Sequence, residues 1–236
     1  LHSLLELQKH YEGFDRGVRA VMRRAGEDPR ALGIFGLVAD VISAPKEHER
    51  AIEAALGERL QHIVVESQAR GLELVTHLKE LAEGRSTFVP VTTELAADLT
   101  PPEGEGLLAL ARDVVLTTEP ILSPLVRRLL DGVALASDLA TAQALSEKNP
   151  AWTFVTPDGE LFAPYGAVTG GVLEGATVGA LQKKREIEEL QNEVAQVEAR
   201  YNEIVTRHYE LQKRMGHVEG VLKGLAKNQH AAELNL

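Results

Sequence analysis

The chain has 236 residues, of which 44% are hydrophobic and 25% are charged, a composition typical of a globular protein. It contains no cysteine, which excludes disulfides and thiolate metal sites. Because the formal net charge is −10 and aromatic residues make up only 4%, any contact with nucleic acid must be a local patch. The sequence has no apolar run of about 18 residues that would predict a membrane span, and its first residue is not methionine, which predicts an excised fragment.

Residues 1–25 carry apolar side chains at alternating spacings of three and four. This pattern predicts an ingoing coiled-coil helix of about three heptads. An amphipathic helix that covers a globular core would show the same pattern over so short a segment, and both interpretations stay open. The apolar positions are Leu4, Leu7, Tyr11, Phe14, Val18 and Val21.

Residues 181–236 keep the same alternation for much longer and predict an outgoing coiled-coil helix. A helix on a globular surface rarely holds a period of 3.5 residues over such a length. The simplest pairing with the ingoing helix is antiparallel, and the excess length after about Val205 is then exposed, frayed or packed on another molecule. The apolar seam consists of Ile187, Leu190, Val194, Val197, Tyr201, Ile204, His208, Leu211, Met215, Val218, Leu222 and Leu225.

Residues 26–180 alternate between helix and strand patterns, which predicts an α/β (α+β) unit in which helices cover a sheet. The order strand, helix, strand, helix, strand occurs twice. We therefore expect two similar subdomains, at about 26–100 and 101–180, joined by the Pro- and Gly-rich stretch "TTELAADLTPPEGEGLLA". The predicted strands are "IFGLVADVIS", "HIVVES", "STFVPV", "DVVLT" and "VALASD", and "WTFVTPDGELFAP" predicts a hairpin.

The segment "PYGAVTGGVLEG" contains four glycines, Gly166, Gly170, Gly171 and Gly175. Glycine in ordered structure costs backbone entropy, so a structural requirement should explain the glycine at each of these positions. Either the backbone adopts positive φ there, or another backbone passes too close for a Cβ atom. Both reasons can apply, at different glycines.

Basic residues cluster at the two places where the predicted coil meets the α/β unit. If the two helices pair antiparallel, the clusters meet and form a positive collar that can contact phosphates without reading bases. Alternatively, they are solvated helix faces with intrahelical ion pairs. The residues are Arg16, Arg19, Arg23 and Arg24 on the first helix and Lys183, Lys184 and Arg185 on the last.

The sequence shows no recognisable catalytic or metal-binding motif. The eight histidines form no His-x-x-x-His pair, and no phosphate-binding loop or Gly-x-Ser-x-Gly elbow occurs. We expect Asp138 to cap a helix and Asp158 to lie in a turn. We therefore expect neither an enzyme activity nor a cofactor in this segment.

The arrangement of an α/β unit between an ingoing and an outgoing coil resembles the hinge of the SMC (structural maintenance of chromosomes) proteins. Three stretches carry the resemblance, and together they span about residues 33–179. These are "GLVADVI" with "AIEAALGERLQHIVVES", "GRSTFVPV", and "FVTPDGELFAPYGAVTGG". The bacterial chromosomal branch resembles the chain best.

The resemblance implies a homodimer joined through strand edges near Gly166, Gly170, Gly171 and Gly175. It also implies an auxiliary, non-sequence-specific DNA contact at the basic residues. In a full-length SMC protein, ATP and Mg²⁺ bind to head domains outside this segment, and accessory subunits bind elsewhere on the chain. The implied role is chromosome condensation and segregation in the bacterial cytoplasm, at the nucleoid, without a membrane partner.

Two other functions stay open on sequence grounds. One is a small α/β enzyme with helical extensions and an unfamiliar site. The other is a generic coiled-coil dimerisation scaffold with no chromosomal role. Salt-dependent DNA binding would separate a scaffold from a chromosome protein, and a hydrolase screen would test the enzyme.

Overall fold

The computed structural model of the chain describes residues 11, 13–26, 28–92, 99–171 and 179–234. The chain divides into two units, residues 1–187 and residues 188–236. The first unit contains both predicted subdomains, called here the first half (residues 28–92) and the second half (residues 99–171).

Helix α1, Arg16–Ala25, precedes the first half in the chain. The strands of this half are short and its helices range from one turn to four turns. In chain order the elements are α1 Arg16–Ala25, a 3-10 turn Pro29–Leu32, β1 Ile34–Leu37, α2 Val38–Val41, β2 Ile42–Ser43, α3 Glu49–Leu56, a 3-10 turn Gly57–Gln61, β3 Ile63–Val65, α4 Gln68–Leu81 and β4 Phe88–Pro90.

The second half repeats this order and adds a hairpin. It leads into the long last helix. The elements are β5 Leu107–Leu110, α5 Ala111–Val114, β6 Leu116–Thr117, a 3-10 turn Pro120–Leu122, α6 Ser123–Leu129, β7 Val133–Ala136, α7 Leu139–Lys148, β8 Thr153–Val155, β9 Leu161–Phe162, β10 Val168–Thr169 and α8 Ala180–Leu234.

The two halves share one strand topology. In the first half, β3 lies between antiparallel β1 and parallel β4; in the second, β7 lies between antiparallel β5 and parallel β8. Both antiparallel pairs contain a register shift, and β2 pairs with β6 across the two halves. The predicted fold of two similar subdomains is therefore confirmed.

The prediction of one strand over "IFGLVADVIS" is wrong, because the one-turn helix α2 interrupts it. The Asp40 carboxylate accepts a hydrogen bond of 3.0 Å from the Leu37 N–H, which stabilises this turn. The strand predicted at "DVVLT" is likewise reduced to Leu116–Thr117, since α5 takes up Asp113 and Val114. Strand β5, at Leu107–Leu110, begins within the stretch that the sequence predicts as a linker, so this part of the prediction is wrong.

The described buried residues of the first unit form three clusters. The largest contains buried side chains of both halves, so the halves share a core. A second cluster packs α1 against the sheet of the first half, and a third lies under α7 around Trp152 and Phe154. The Trp152 indole N–H donates to the Thr100 carbonyl at 3.0 Å, which satisfies the polar atom of a buried aromatic residue.

The predicted ingoing helix differs from the observed one in two respects. Tyr11 and Gly13 have φ of +51° and +93°, so a single helix does not continue through these residues, and the described helix α1 begins at Arg16. Val18 and Val21 are each 1% exposed and belong to the cluster with Ile34 and Leu74, so they are core residues of the first half. Leu4 and Leu7 lie outside the described residues.

Helix α8 runs over 55 residues, and it begins one residue before the predicted boundary at 181. In the second unit, the seam side chains from Val194 to Leu225 are exposed. Antiparallel pairing with the ingoing segment stays a prediction, since residues 1–10 are not described. Among the described helices, none is both long and apolar enough to cross a bilayer.

Candidate dimer edge and basic helix ends

Strand β10, in the described part of the glycine-rich segment, forms one edge of the larger sheet. That sheet has the strand order β10-β9-β8-β7-β5, and β10 has no partner on its outer side within the described chain. The turn between β9 and β10 is closed by hydrogen bonds from the Ala163 N–H to the Ala167 carbonyl at 2.8 Å and from the Gly166 N–H to the Ala163 carbonyl at 2.9 Å. The predicted hairpin of β8 and β9 precedes this edge, with Asp158 in its turn.

The predicted glycines fall into two groups. Gly166 and Gly171 have φ of +81° and +110°, which explains the need for glycine without any partner. At Gly170 an added Cβ would lie 3.4 Å from Cγ of Glu160, an ordinary contact, and φ is not in the left-handed region. Nothing within the described chain therefore requires glycine at this position. Gly175 lies outside the described residues.

Two large side chains are exposed beside these glycines. Tyr165 is 85% exposed and Val168 is 60% exposed. A strand edge with an apolar exposed side chain is a surface that proteins usually cover or pair.

The four predicted basic residues of α1, Arg16, Arg19, Arg23 and Arg24, are all exposed. The opposite face of this helix carries the buried Val18, Val21 and Met22. The arginines therefore lie on the solvent side of a helix that the core holds in place.

The three predicted basic residues of α8 differ from one another. Lys183 is exposed. The Lys184 ammonium donates to the Asp40 carbonyl and, at 2.8 Å, to the Ile42 carbonyl. The Arg185 guanidinium binds both carboxylate oxygens of Glu49, at 2.6 and 3.3 Å. Lys184 and Arg185 thus have intramolecular partners that the sequence did not reveal.

Glu53 caps the start of α8 from a distant part of the chain. Its two carboxylate oxygens accept hydrogen bonds of 2.8 Å from the Gly179 and Leu181 N–H groups. Burial raises the pKa of Glu53, and the two backbone N–H groups oppose that shift. The sequence signal for this role is an acidic residue within the buried apolar face of "ERAIEAAL".

Asp40 is the acid at the end of α2, and its carbonyl accepts a hydrogen bond from Lys184 of α8. Burial raises its pKa, while the Leu37 N–H and the Lys184 ammonium act in the opposite direction. Burial and the Asp40 charge together raise the pKa of Tyr11. Asp40 therefore interacts electrostatically with a residue that precedes α1, and its carbonyl accepts a hydrogen bond from Lys184 of α8.

The described residues hold no metal cluster. No group of three or more histidine or acidic side chains is placed to bind an ion there. Asp138 caps α7 as predicted, because its side chain accepts the Thr141 N–H at 2.9 Å.

Comparison with known sequences gives a consistent result. A family model described as "SMC proteins Flexible Hinge Domain" matches residues 31–146. The chain is 61% identical to the "Chromosome partition protein Smc" of Myxococcus xanthus, over 100% of this chain and 20% of that protein. It is 32% identical to the protein of the same name from Halothermothrix orenii, over 84% of this chain and 17% of that protein. The chain thus spans about a fifth of the length of these relatives.

Solved structures show the same fold. An asymmetric dimer of the Geobacillus stearothermophilus SMC hinge domain matches with a TM-score of 0.73 and 30% identity, over 84% of this chain and 80% of that one. The Pyrococcus furiosus SMC hinge domain matches with a TM-score of 0.53 and 27% identity, over 72% of this chain and 86% of that one. Both the sequence family and the repeated strand topology agree, and this chain belongs to the SMC hinge domain family.

Proposed function

We propose that the chain is the homodimerisation hinge of an SMC chromosome-organising ATPase. The observation that carries the proposal is made at the outer side of β10. No contact within the described chain requires glycine at position 170. A second copy that pairs with this edge would explain the glycine, because a Cβ at position 170 would hold the two backbones apart. The matched Geobacillus hinge structure is that of a dimer.

The register of β10 supports pairing with a further strand. The Ala163–Ala167 hydrogen bond makes that pair a hydrogen-bonded one, so the next pair, Phe162 and Val168, is of the non-hydrogen-bonded kind. The Val168 N–H and C=O therefore point away from β9. These groups are available to a strand of a second copy, with the exposed Val168 and Tyr165 side chains beside them.

Sedimentation analysis of Gly170→Val tests this dimer. Valine fits the free chain at this position, because the nearest described contact of an added Cβ is the ordinary one to Glu160. We expect the parent chain to sediment as a dimer and the variant as a folded monomer with the same circular dichroism. The matched control is Gly216→Val in α8, where an added Cβ has open space. A dimeric Gly170→Val chain would reject the proposed edge.

An auxiliary, non-sequence-specific DNA contact is the second part of the proposal. The exposed Arg16, Arg19, Arg23, Arg24 and Lys183 support it, since they concentrate positive charge on a chain whose formal net charge is −10. Lys184 and Arg185 have intramolecular partners, so we assign them a smaller share of this contact.

The remaining parts concern the longer protein to which a hinge belongs. We propose that it is a bacterial, cytoplasmic and nucleoid-associated ATPase of chromosome condensation and segregation. ATP and Mg²⁺ would bind to its heads, and accessory subunits would bind outside this segment. The relatives named "Chromosome partition protein Smc" support this role, as does their roughly fivefold greater length, since this chain covers 20% of one and 17% of another.

A further inference from the structure

The start of α8 is held by residues of the first half, although the chain reaches it from the second half. Gly179 and Leu181 donate their N–H groups to Glu53 of α3. One turn later, Arg185 binds Glu49 of the same helix.

Lys184 adds a third point of attachment. Its ammonium group donates to the Asp40 and Ile42 carbonyls, where α2 ends and β2 begins. Carbonyl groups at the end of a helix lack intrahelical partners, so a cation there is a favourable partner. Lys184 of α8 thus binds carbonyls at the end of α2, while Glu53 of α3 binds N–H groups at the start of α8.

These contacts require their charges at defined places. A carboxylate at a helix N-terminus satisfies orphan N–H groups and interacts favourably with the helix dipole. Glu49 and Glu53 are only 6% and 7% exposed, and a buried acid needs such partners to be tolerated. On a surface helix they would be ordinary solvated residues, but here both bind the start of the outgoing helix α8.

We propose that Glu53, Glu49 and the carbonyls that end α2 form a seat on the first half, and that this seat positions the start of the outgoing helix. These polar contacts all come from the first half, although the chain arrives from the second half. The seat goes beyond the proposed dimerisation, because neither a second copy nor DNA takes part in it. Helix α1 also packs on the first half, so α1 and the start of α8 both contact the first half. Strand β10 belongs to the second half.

Amide hydrogen exchange at single residues tests the seat in the full 236-residue chain. In Glu53→Ala, the Gly179 and Leu181 amides lose their acceptors, and we expect them to exchange about tenfold faster or more. Amides of β3 and β7 should keep their protection. Glu53→Gln retains one oxygen acceptor, so one of the two amides should remain protected.

A neighbouring pair of lysines provides the matched second test. Lys184→Met removes the donor to the α2 carbonyls, while Lys183→Met changes an exposed neighbour. We expect faster exchange over residues 179–187 in the first variant and unchanged exchange in the second. Spin labels at Glu58→Cys and Lys183→Cys, in a chain without other cysteines, should give a broader distance distribution when Glu53→Ala is added.

Three results would overturn the seat. The first is unchanged exchange at Gly179 and Leu181 in Glu53→Ala together with unchanged exchange in Lys184→Met. The second is an equal loss of protection in β3 and β7 in both variants, which would mean that the effect is global. The third is equal behaviour of Lys183→Met and Lys184→Met. The oligomeric state does not enter any of these results, so they stand apart from the test of the dimer.

Discussion

The carbonyl oxygen of Arg85 occupies the space that a side chain at Gly17 would need. A Cβ atom built on Gly17 would lie 2.1 Å from this oxygen and 2.4 Å from the Arg85 carbonyl carbon. Gly84 shows the reciprocal relation, because a Cβ there would lie 3.0 Å from the Gly17 backbone nitrogen. Two backbones therefore touch where the "GRST" stretch crosses the first turn of α1.

Gly17→Ala is expected to destabilise the first unit, because backbone atoms cannot move aside as a flexible side chain can. Forced overlap of this kind costs about 1–3 kcal/mol or more in the free energy of unfolding. Thermal or urea unfolding measures this change. Gly216→Ala is the control, a helical glycine of α8 with open space around it, and it should leave stability equal or slightly higher. Equal stability of Gly17→Ala and the parent chain would contradict the close approach.

Arg59 connects the two halves through carbonyl groups. Its guanidinium donates to the Leu129 carbonyl of α6 at 2.8 Å and to the carbonyls of Leu56, at 3.2 Å, and Ala55 at the end of α3. Burial lowers the pKa of this arginine, because it removes water from the charged group.

Arg59→Met is expected to lower the free energy of unfolding by about 1–3 kcal/mol, because partly buried carbonyls lose their donor. Arg59→Lys should recover part of this loss, since an ammonium group reaches fewer carbonyls at once. Urea unfolding monitored by the fluorescence of Trp152, in the second half, measures both. A loss as large in Arg59→Lys as in Arg59→Met would mean that charge alone does not support the junction.

The half-buried Asp40 and the buried Glu53 are expected to make a contribution to the free energy of unfolding that falls as pH rises. Burial raises the folded-state pKa of both above the unfolded values of about 3.9 and 4.3. Their contribution is therefore fully present below about pH 4 and is lost as pH rises through the folded-state pKa values. Asp138 has the opposite effect on the pH dependence of stability. Hydrogen bonds lower its pKa, so its contribution to the free energy of unfolding is lost only as pH falls through its lowered folded-state pKa.

Asp40→Asn isolates this effect, because asparagine keeps an oxygen for the Leu37 N–H but does not ionise. Unfolding free energies of the parent and the variant should be compared from pH 4 to pH 7. We expect the parent to lose more stability over this range than Asp40→Asn does. The same or a steeper fall in the variant would show that Asp40 is not the group responsible.

Much of the fold was predictable because hydrophobic period and turn residues act locally. The long period of α8, the buried strand β3 and the Asp138 cap were all read correctly from sequence. The course of the ingoing helix was not predicted correctly. Apolar residues spaced three and four apart continue through Tyr11, but the backbone there adopts positive φ. Val18 and Val21 fit a coil seam and a core face equally well, and only tertiary packing decides between them.

The candidate site was predictable only in part, because long-range partners leave little trace in sequence. Positive charge at 183–185 was evident, yet Lys184 and Arg185 find their partners more than 130 residues earlier in the chain. Gly17 resembles an ordinary helix residue, and its role depends on Arg85 crossing above it. The sequence indicated that Gly166 and Gly171 are required to be glycine. Their positive φ explains this requirement without any distant contact.

The proposed DNA contact predicts that exposed and occupied basic residues behave differently. Each phosphate contact adds about 0.9 to the slope of log K against log salt concentration on duplex DNA. Glutamine at Arg16, Arg19, Arg23 and Arg24 together should therefore lower the slope by about 0.9 for each arginine that binds a phosphate. Lys183→Gln should lower it by a similar single step, and fluorescence anisotropy with a labelled duplex from about 50 to 200 mM salt measures each slope.

Lys184→Gln is the matched comparison for Lys183→Gln, because the two residues are neighbours and differ in their partners. The Lys184 ammonium is engaged with the Asp40 and Ile42 carbonyls, so its removal should change the salt slope less than removal of Lys183. A slope that stays at the parent value in the four-arginine variant would reject the contact at α1. A larger change for Lys184→Gln than for Lys183→Gln would show that DNA displaces this lysine from the carbonyls that hold it.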